Sequence, residues 1–484
     1  MAYEFKTKPY AHQKEALRRS LPRREFAFLM EMGSGKTKVA IDEIGILFDQ
    51  KEIDAAVVIA PKGVYSNWTN REIPTHMPAD LLDGAMMYMW TGLSSSREKW
   101  TAENILAYRG LAILVMNVEA VSSSAKAFEY LKKFMTKRRC AIYVDESTTI
   151  KNHKSLRASN LTKLAPLAKY RRIMTGSPVP RSPLDFFSQF NFLRPGLIGS
   201  KNFIAFRAKY AVMEQRIFGG RSVQTVTGYR NLAELTENVK EHSFRVTKEE
   251  CMDLPPKVYV TRSVELTDEQ TKAYVAMREE AFAELEAGGF ATATAVITQI
   301  LRLHQIVCGH ITDADGQLVR LKSNRVQALL DVCDEIDGKT IVWARYREDI
   351  RGISEALRDV YGDDSVVQYH GGVGMADREY AVNGFQDPDS PVKFFVANQA
   401  TGGYGITLTA ASNVIYYSND YDLEKRLQSE DRAHRSGQTK SVLYVDIVSP
   451  NTVDEKILDS LKNKKSIADL VTGDKVREWF TSSR

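Results

Sequence analysis

Two stretches of the chain share one pattern of short apolar runs, each bounded by turn residues. The first contains EFAFLM, AAVVIAP, LAILVMN, CAIYVDE and YRRIMTGSP, with helix-like segments such as KTKVAIDEIGILF between them. The second begins near Ser323 and contains KTIVWARY, VVQYHGG, VKFFVAN, NVIYYSN and VLYVDIV. Short apolar runs that alternate with helices are typical of buried parallel strands. The pattern therefore predicts an α/β fold with two parallel sheets flanked by helices.

The segment between these stretches has a different pattern. It is rich in helix formers, notably in ENVKEHSFRV and DEQTKAYVAMREEAFAELEAGGF, and the two prolines of DLPPK interrupt it. We expect helical insertions and a linker here rather than a third sheet. The predicted organisation is a first lobe at 1–195, helical insertions and linker at 196–322, and a second lobe at 323–484 that ends in a helix, SLKNKKSIADLV.

Composition narrows the class of protein. A chain of 484 residues is expected to form more than one domain, and 43% apolar with 26% charged residues is ordinary for a folded protein. A net charge of +5, from 66 basic and 61 acidic residues, means that any basic binding surface must be local. The start of the chain does not resemble a signal peptide, and no apolar run reaches the about 18 residues of a membrane span. The four cysteines are far apart, which argues against a disulfide framework: Cys140, Cys251, Cys308 and Cys333. We expect a cytoplasmic protein without a membrane partner.

The stretch EMGSGKT, residues 31–37, joins an apolar run to a helical pattern through a glycine turn. Such a loop directs backbone N–H groups and the positive end of a helix at a bound phosphate. Lys36 would add a mobile charge, and the Thr37 hydroxyl would be a ligand for magnesium. Gly33 and Gly35 would allow the close approach. The first glycine of the common phosphate-loop pattern is absent, because Met30 occupies its position.

The run CAIYV ends in a pair of acids, Asp145 and Glu146. Ligands of a doubly wound sheet bind beyond the carboxyl ends of its strands, where these two side chains are expected to lie. Asp145 would hold magnesium, and Glu146 would polarise the water that attacks a γ-phosphate. The alternative interpretation is a solvated pair of acids at a strand end. The presence of Lys36 upstream argues against this alternative.

Read in order, several motifs resemble helicase superfamily 2, and specifically its Swi/Snf-type branch of ATP-driven DNA translocases. They are KPYAHQKEAL, EMGSGKT, VVIAPKGVYSNW, VDESTTIKN, MTGSPVP, ATGGYGITLT and QSEDRAHRSGQ. The match extends over most of the chain. It implies two RecA-like lobes with ATP between them, and it explains Met30, because the family's own loop has the form DEMGxGKT.

The resemblance also implies roles for individual residues of the ATP site. Gln13 matches the glutamine that reads adenine, and Arg432 and Arg435 match arginine fingers from the second lobe. Without the family, an ion pair of these arginines with Glu430 or Asp431 would be the simpler interpretation. The implied cofactors are ATP and Mg²⁺, and the remaining nucleotide contacts are Gly33, Ser34, Gly35, Lys36, Thr37, Gln428 and Gln438.

Residues that grip nucleic acid leave little trace in a sequence, because phosphate contacts use short polar side chains and backbone N–H groups. By resemblance we expect them at Lys62, Asn67, Trp68, Asn117, Thr175, Ser177, His370, Gly371, Gly402 and Gly403. Thr175 and Ser177 have a competing role in coupling the ATP site to the DNA track. Trp68 has a competing role as a packed aromatic. The basic runs RRSLPRR and KYRR are either part of the track or solvated faces.

Three departures from the family pattern stand out. The chain has DEST where DEAH or DEGH is usual, so Thr148 replaces a histidine thought to link nucleotide and nucleic acid. SNDYDLEKRLQ lacks the usual WNP, and ATGGYG replaces RAGGxG. Such a compact, divergent form resembles members from bacteria and their phages, which implies a bacterial or phage-infected cell. A metal site at His304, Cys308 and His310 is a further hypothesis, but the family has a similar helical segment without a metal.

The sequence thus predicts an ATPase that translocates along, or remodels, duplex or branched DNA, most simply as a monomer, with a loading partner left open. Two alternatives share its features. A strand-separating helicase on DNA or RNA would use the same ATP residues. A catalytically inactive DNA-binding protein would retain the fold. The intact ATP-site residues argue against it: Lys36, Asp145, Glu146, Arg432 and Arg435.

Overall fold

The structure is a computed structural model that describes residues 3–176, 182–218, 221–286, 293–312, 317–402 and 405–463. The chain divides into two compact units. The first consists of residues 1–216 and 223–253, and the second of residues 217–222 and 254–484. Among the described residues, no helix combines the length and the apolar composition that crossing a membrane requires.

A seven-stranded sheet forms the centre of the first unit, with strand order β3-β4-β2-β5-β6-β1-β9 and parallel pairing throughout. Two further strands, β7 and β8, form a separate two-stranded sheet. The strands are β1 Glu25–Met30, β2 Ala55–Ala60, β3 Ala85–Met89, β4 Leu111–Asn117, β5 Cys140–Val144, β6 Tyr170–Thr175, β7 Ala211–Phe218, β8 Arg221–Tyr229 and β9 Ser243–Val246.

Helices pack on both faces of this sheet. Alternate residues of a strand therefore belong to two different apolar clusters, one on each face. In β2, for example, Val57 and Ile59 belong to one cluster and Ala56 and Val58 to the other. The helices are α1 Ala11–Ser20, α2 Lys36–Asp49, α3 Tyr65–Asn67, α4 Ile73–His76, α5 Ala79–Asp83, α6 Ser96–Ala107, α7 Ala120–Ser123, α8 Ala125–Lys137, α9 Leu156–Leu164, α10 Asp185–Leu193, α11 Phe203–Tyr210, α12 Leu232–Glu241 and α13 Lys248–Cys251.

The second unit repeats the architecture with a six-stranded parallel sheet of order β10-β17-β16-β13-β15-β14. A short antiparallel pair, β11 and β12, lies apart from it. The strands are β10 Lys257–Ser263, β11 His310–Thr312, β12 Leu318–Arg320, β13 Lys339–Trp343, β14 Val366–Tyr369, β15 Phe394–Ala397, β16 Ala411–Tyr416 and β17 Val442–Val448.

This sheet also separates two apolar clusters, with Ile341 and Trp343 in one and Val342 in the other. Its helices are α14 Asp268–Glu286, α15 Ala293–Cys308, α16 Arg325–Glu335, α17 Arg347–Tyr361, α18 Met375–Gln386, α19 Gln399–Gly402, α20 Leu423–Glu430 and α21 Val453–Lys462. Two units, each with a parallel sheet between helical layers, confirm the predicted α/β fold with two RecA-like lobes.

The stretch 196–322 contains more than the expected helices. α11 to α15 lie there, but β9 joins the edge of the first sheet and β10 joins the edge of the second. Part of ENVKEHSFRV, predicted as helix-forming, is therefore strand: α12 ends at Glu241 and Ser243–Val246 is β9. The burial of Phe244 and Val246 against the first sheet overrides the helical composition of this segment. The boundaries at 195 and 322 stay predictions.

Candidate functional site

The phosphate loop connects the end of β1 to the start of α2 in the first unit. Gly33 and Gly35 have φ values of 82° and 85°, in the left-handed region that favours glycine. A Cβ atom on Gly35 would lie 2.1 Å from the Gln13 side-chain nitrogen, so another residue would have to displace the Gln13 amide and adopt the left-handed φ. Helix α2 begins at Lys36, directly after this turn. The local geometry is therefore that of a helix N-terminus suited to a phosphate group.

Two side chains of α1 contact the backbone of this loop. Gln13 Nε2 donates to the Ser34 carbonyl over 3.1 Å, and a His12 ring nitrogen lies 2.8 Å from the same oxygen. Gln13 Oε1 accepts the Tyr10 backbone N–H at 3.0 Å. Both ends of the Gln13 amide thus have protein partners, so contact with adenine stays a prediction that uses its second donor and acceptor sites. The role of His12 was not predicted, and only its position next to Gln13 pointed to it.

Three predicted motifs lie at the carboxyl ends of three neighbouring strands of the first sheet, β1, β6 and β5. β6 pairs with β1 on one side and with β5 on the other, all in parallel, so their carboxyl ends meet at one edge. A Cβ atom on Gly176, just after β6, would lie 3.3 Å from Lys36 Nζ. Burial raises the pKa of Asp145, after β5, and the nearby Lys36 ammonium opposes that rise. The fold thus brings Lys36 and Asp145 together from positions far apart in the sequence.

Glu146 has an unusual backbone conformation. Its φ is 45°, in the left-handed region that few residues other than glycine adopt, and a short 3₁₀ helix follows at Ser147–Ile150. The Glu146 N–H donates to Asp145 Oδ1 at 2.9 Å, which orients that carboxylate. Residues held in rare conformations concentrate at functional sites. This strain supports the catalytic hypothesis for Glu146, which stays a prediction.

Trp68 is packed in the core of the first unit. Its side chain is 1% exposed, and its indole N–H donates to Asp145 Oδ2 over 3.0 Å. The ring is packed in the core and its polar atom is occupied, which favours the competing role of Trp68 as a packed aromatic. Its contact with nucleic acid stays a prediction. Together with the Glu146 N–H, the indole accounts for a hydrogen bond to each oxygen of Asp145.

We expect the Trp68→Phe variant to lower ATP hydrolysis by about tenfold, because a hydrogen bond to a charged group is worth about 1.5–3 kcal/mol. The indole N–H also lowers the pKa of Asp145, so the acid limb of the pH–rate profile should move to higher pH. Steady-state rates between pH 5.5 and about pH 8 and a Mg²⁺ titration would measure both effects. Trp90→Phe is the matched control, since Trp90 is buried in the same unit against Tyr130. Equal behaviour of the two variants would contradict a role for the indole N–H.

The other predicted nucleic-acid residues of the first unit have mixed surroundings. Lys62 is exposed and Asn67 is half-buried. Asn117 Oδ1 accepts the N–H of Ala120, the first residue of α7, at 2.8 Å. Thr175 is buried at the end of β6. Ser177 lies outside the described residues, and the nucleic-acid roles of the other four stay predictions.

Arg432 and Arg435 lie just after α20 in the second unit, and both guanidinium groups reach the segment at 406–407. Arg432 donates to the carbonyls of Gln428 and Ile406, each at 2.9 Å, and Arg435 Nη1 donates to Thr407 Oγ1 at 3.0 Å. The two arginines thus share one location, as their spacing predicts. Their role as arginine fingers stays a prediction.

The carboxylate of Glu430, an alternative partner for these arginines, is held by other cations. Arg426 and Lys257 contact it at 2.9 and 2.8 Å. The buried Arg426 guanidinium also pairs with Asp446 and lies 3.4 Å from the ring centroid of Tyr416. The sequence did not predict that Arg426 is buried and makes these contacts, because an arginine in a helical segment has the same sequence pattern whether it is buried or on the surface.

The two predicted glutamines differ in what remains available for a nucleotide. Gln438 Nε2 donates to the carbonyls of Ala411 and Ala433, and its Oε1 accepts two backbone N–H groups, so it mainly fixes its own loop. Gln428 Oε1 is buried and has no hydrogen-bond partner among the described residues. A buried acceptor without a partner is costly unless something else binds it, which favours Gln428 over Gln438 as a ligand contact.

The glycines and the histidine of the second unit that were predicted to contact nucleic acid also differ in their surroundings. His370 and Gly371 follow β14, Gly371 is exposed, and burial with the nearby Arg347 lowers the pKa of His370. A Cβ atom on Gly402 would lie 2.6 Å from the Trp343 ring, so this buried glycine is explained by packing. Gly403 lies outside the described residues. The nucleic-acid roles of His370, Gly371 and Gly402 stay predictions.

The cluster at the end of α15 is formed by side chains that already have protein partners. One His304 nitrogen lies 3.0 Å from the Tyr346 hydroxyl and the other 3.2 Å from Asp454, while His310 lies 3.3 Å from Asp349. Burial raises the pKa of the Cys308 thiol, so it stays protonated. The described part of the chain contains no group of three or more His, Cys, Asp or Glu arranged to hold a metal. These contacts are those of a structural cluster.

Comparisons with known proteins agree with this geometry. A model of the SNF2-related domain matches residues 14–311, and a model of the helicase conserved C-terminal domain matches residues 322–437. An uncharacterized ATP-dependent helicase from Mycoplasma genitalium is 24% identical over 468 residues, covering 94% of this chain and 41% of the relative. The DNA annealing helicase and endonuclease ZRANB3 from Bos taurus is 26% identical over 440 residues, covering 90% and 38%.

This chain thus spans only about two fifths of the length of these relatives. Among solved structures, the Sulfolobus solfataricus SWI2/SNF2 ATPase core in complex with dsDNA is 23% identical and covers 100% of this chain and 99% of that one. The TM-score of 0.43 is too low for an argument from its geometry.

Proposed function

Since the SNF2-related domain extends over more than half of its length, this chain belongs to the SNF2-related family, and we propose that it couples ATP hydrolysis to movement along duplex or branched DNA. One observation carries the proposal. Lys36, Asp145 and Glu146 lie on neighbouring loops at the carboxyl ends of the strands of the first sheet. A protein that only binds DNA would not need a strained acid beside a buried, doubly hydrogen-bonded aspartate.

The residues present fit a nucleoside triphosphate and a magnesium ion. The loop has two left-handed glycines and a helix N-terminus, and a side chain at Gly35 would have to displace the Gln13 amide. Bound ATP would supply the γ-phosphoryl group, and Mg²⁺ would neutralise its developing charge. Lys36 would bind the phosphates, Thr37 and Asp145 would hold the metal, and Glu146 would orient the attacking water and accept its proton. The Trp68 indole N–H, which donates to Asp145 Oδ2, would orient this carboxylate toward the metal.

The nucleic-acid partner is proposed from the family. The name of the bovine relative describes work on DNA, which supports DNA as the partner of this chain. Lys62, which is exposed, and Asn67, which is half-buried, are the residues of the first unit that we propose for contact with its backbone. We also propose that the protein acts as a monomer.

The experiment compares ATP hydrolysis without nucleic acid and with blunt duplex DNA, forked DNA, single-stranded DNA and RNA, beside a triplex-displacement assay. Blunt duplex should raise the rate by about tenfold or more, equal to about 1.4 kcal/mol of the activation barrier, and the triplex strand should be released. Lys36→Ala is the control and should hydrolyse nothing with any polymer. Stimulation by single strands or RNA alone would favour the strand-separating helicase. No hydrolysis by the wild-type protein under any condition would favour the inactive DNA-binding protein.

A further inference from the structure

Glu31 connects the phosphate loop to a part of the first unit that is distant in the sequence. It lies directly after β1, and its carbonyl accepts the Ser34 N–H at 3.1 Å and the Ser34 hydroxyl at 2.6 Å. Ser34 is fully buried, and its own carbonyl is bound by His12 and Gln13 of α1. The backbone of Glu31 is therefore fixed to the loop that is expected to hold a phosphate.

The N–H and the carboxylate of Glu31 bind the connection between β9 and α13. The N–H donates to the carbonyl of Val246, the last residue of β9, at 3.0 Å. Glu31 Oε2 accepts the backbone N–H of Lys248, the first residue of α13 and 217 positions away, at 2.8 Å. Helix α13 also has a local cap, because Glu250 Oε2 accepts the Thr247 N–H at 2.6 Å. The bond from Glu31 thus adds a long-range contact to the cap that α13 forms from its own residues.

Helix α13 is the last helix or strand of the first unit. It ends at Cys251, the first unit ends at Asp253, and the chain continues in the second unit from Leu254. Cys251 packs against the apolar cluster that contains Met30 and Phe244. Because the chain is continuous, a shift of α13 displaces the start of the segment that joins the two units. The contact between Glu31 and α13 therefore lies between the phosphate loop and that segment.

A bound nucleotide would act on this contact through the loop. Phosphate oxygens accept backbone N–H groups of such a loop and restrict its conformations. When Ser34 and the Glu31 backbone are restricted, the Glu31 carboxylate binds the Lys248 N–H for a larger fraction of the time. We propose that Glu31 is a positioning residue, which transmits nucleotide binding at the phosphate loop to α13. The inference rests on the proposed function for its nucleotide and does not depend on the kind of nucleic acid.

The thiol of Cys251 reports the local opening of α13. Cys251 is half-buried, whereas the other three cysteines are buried: Cys140, Cys308 and Cys333. A thiol reagent should therefore label Cys251 first, and the Cys251→Ser variant should lose this rapid phase. A saturating non-hydrolysable ATP analogue should slow the labelling of the wild type by about fivefold or more, the lower end of usual couplings between two sites. Burial and the nearby Glu31 charge raise the pKa of this thiol, so each variant is compared with itself, with and without the analogue.

Two substitutions of Lys248 separate its backbone N–H from its side chain. Lys248→Pro removes the N–H that Glu31 binds, at the first position of a helix, where proline is well tolerated. Lys248→Ala loses the same side chain and keeps the N–H. The analogue should slow the labelling of Lys248→Ala as it does in the wild type, and it should leave the labelling of Lys248→Pro nearly unchanged. An effect of the nucleotide charge on the thiol would be equal in both variants, so equal protection would overturn the inference.

Glu31 is tested by a second pair of variants. Glu31→Gln keeps an oxygen acceptor and should retain most of the protection, whereas Glu31→Ala should lose it and still bind a fluorescent ATP analogue. Loss of nucleotide binding by Glu31→Ala would overturn the inference, since Glu31 would then determine the shape of the loop. If the wild type hydrolyses ATP with duplex DNA and Cys251 is not protected, the proposed function stands and the inference fails. If the wild type neither binds nor hydrolyses ATP, the proposed function fails, and the inference fails with it.

Discussion

The Glu146→Gln variant is expected to bind ATP as the wild type does and to hydrolyse it about 10²–10⁴ times more slowly, the usual loss when a general base is removed. Glutamine has nearly the same shape, so the left-handed backbone at position 146 and the N–H donated to Asp145 Oδ1 should persist. What is lost is the carboxylate that orients and deprotonates the attacking water. Binding of a fluorescent ATP analogue and single-turnover hydrolysis would measure the two effects separately.

Glu129→Gln is the control for this substitution, because Glu129 is exposed on α8 of the same unit. It should hydrolyse ATP at the wild-type rate. Normal turnover by Glu146→Gln would show that the catalytic assignment is wrong. Loss of nucleotide binding by Glu146→Gln would instead assign the residue to the shape of the site.

The largest effect on stability is expected for Arg172→Met. The Arg172 guanidinium is fully buried, contacts both oxygens of Glu43 at 2.9 Å, and donates to the carbonyls of Ser20, Arg23 and Arg24. Removing it leaves the Glu43 carboxyl group without its cation in the core, which costs about 3–5 kcal/mol. Because Glu43 lies on α2, whose first residue is Lys36, nucleotide binding should weaken as well. Urea unfolding followed by a probe in the first unit would measure the loss.

The neighbouring Arg171→Met substitution is the control, because Arg171 pairs with Glu25 nearer the surface. It should cost about 1 kcal/mol or less. Arg172→Met/Glu43→Leu, which removes both charges, should recover part of the lost stability. The account would be contradicted if Arg172→Met and Arg171→Met unfolded at the same urea concentration.

The strands inside each sheet were predictable because their apolar runs are continuous. EFAFLM is β1, and CAIYV is β5. Three of the four edge strands, β3, β9 and β10, were not predicted: β9 follows closely on α12, and β10 is mostly exposed. The fourth, β14, was predicted from VVQY, which is mostly buried. An edge strand pairs on one side only and buries fewer side chains, so its sequence has a weaker pattern. The two-stranded sheet of β7 and β8 was missed for the same reason.

Some residues of the candidate site could likewise be predicted from the sequence, and others could not. The loop with Lys36 and the acids Asp145 and Glu146 could be predicted, because the chemistry needs particular residue types at short spacings. The position of Trp68 could not, since a tryptophan in a helical segment has the same sequence signature whether it stacks on a base or packs in a core. Its bond to Asp145 joins residues 77 positions apart.

The sequence by itself determined the α/β class, the two sheets, the phosphate loop and the family. Each of these depends on local periodicity or on a short motif, and such signals do not require knowledge of which distant residues meet. Only the tertiary structure decided which buried polar groups become partners, such as Arg172 with Glu43, 129 positions away. A buried charge needs a partner from wherever the fold brings one, because water is excluded and an unpaired charge is costly. That partner is a property of the packing and not of the residues next to it in the chain.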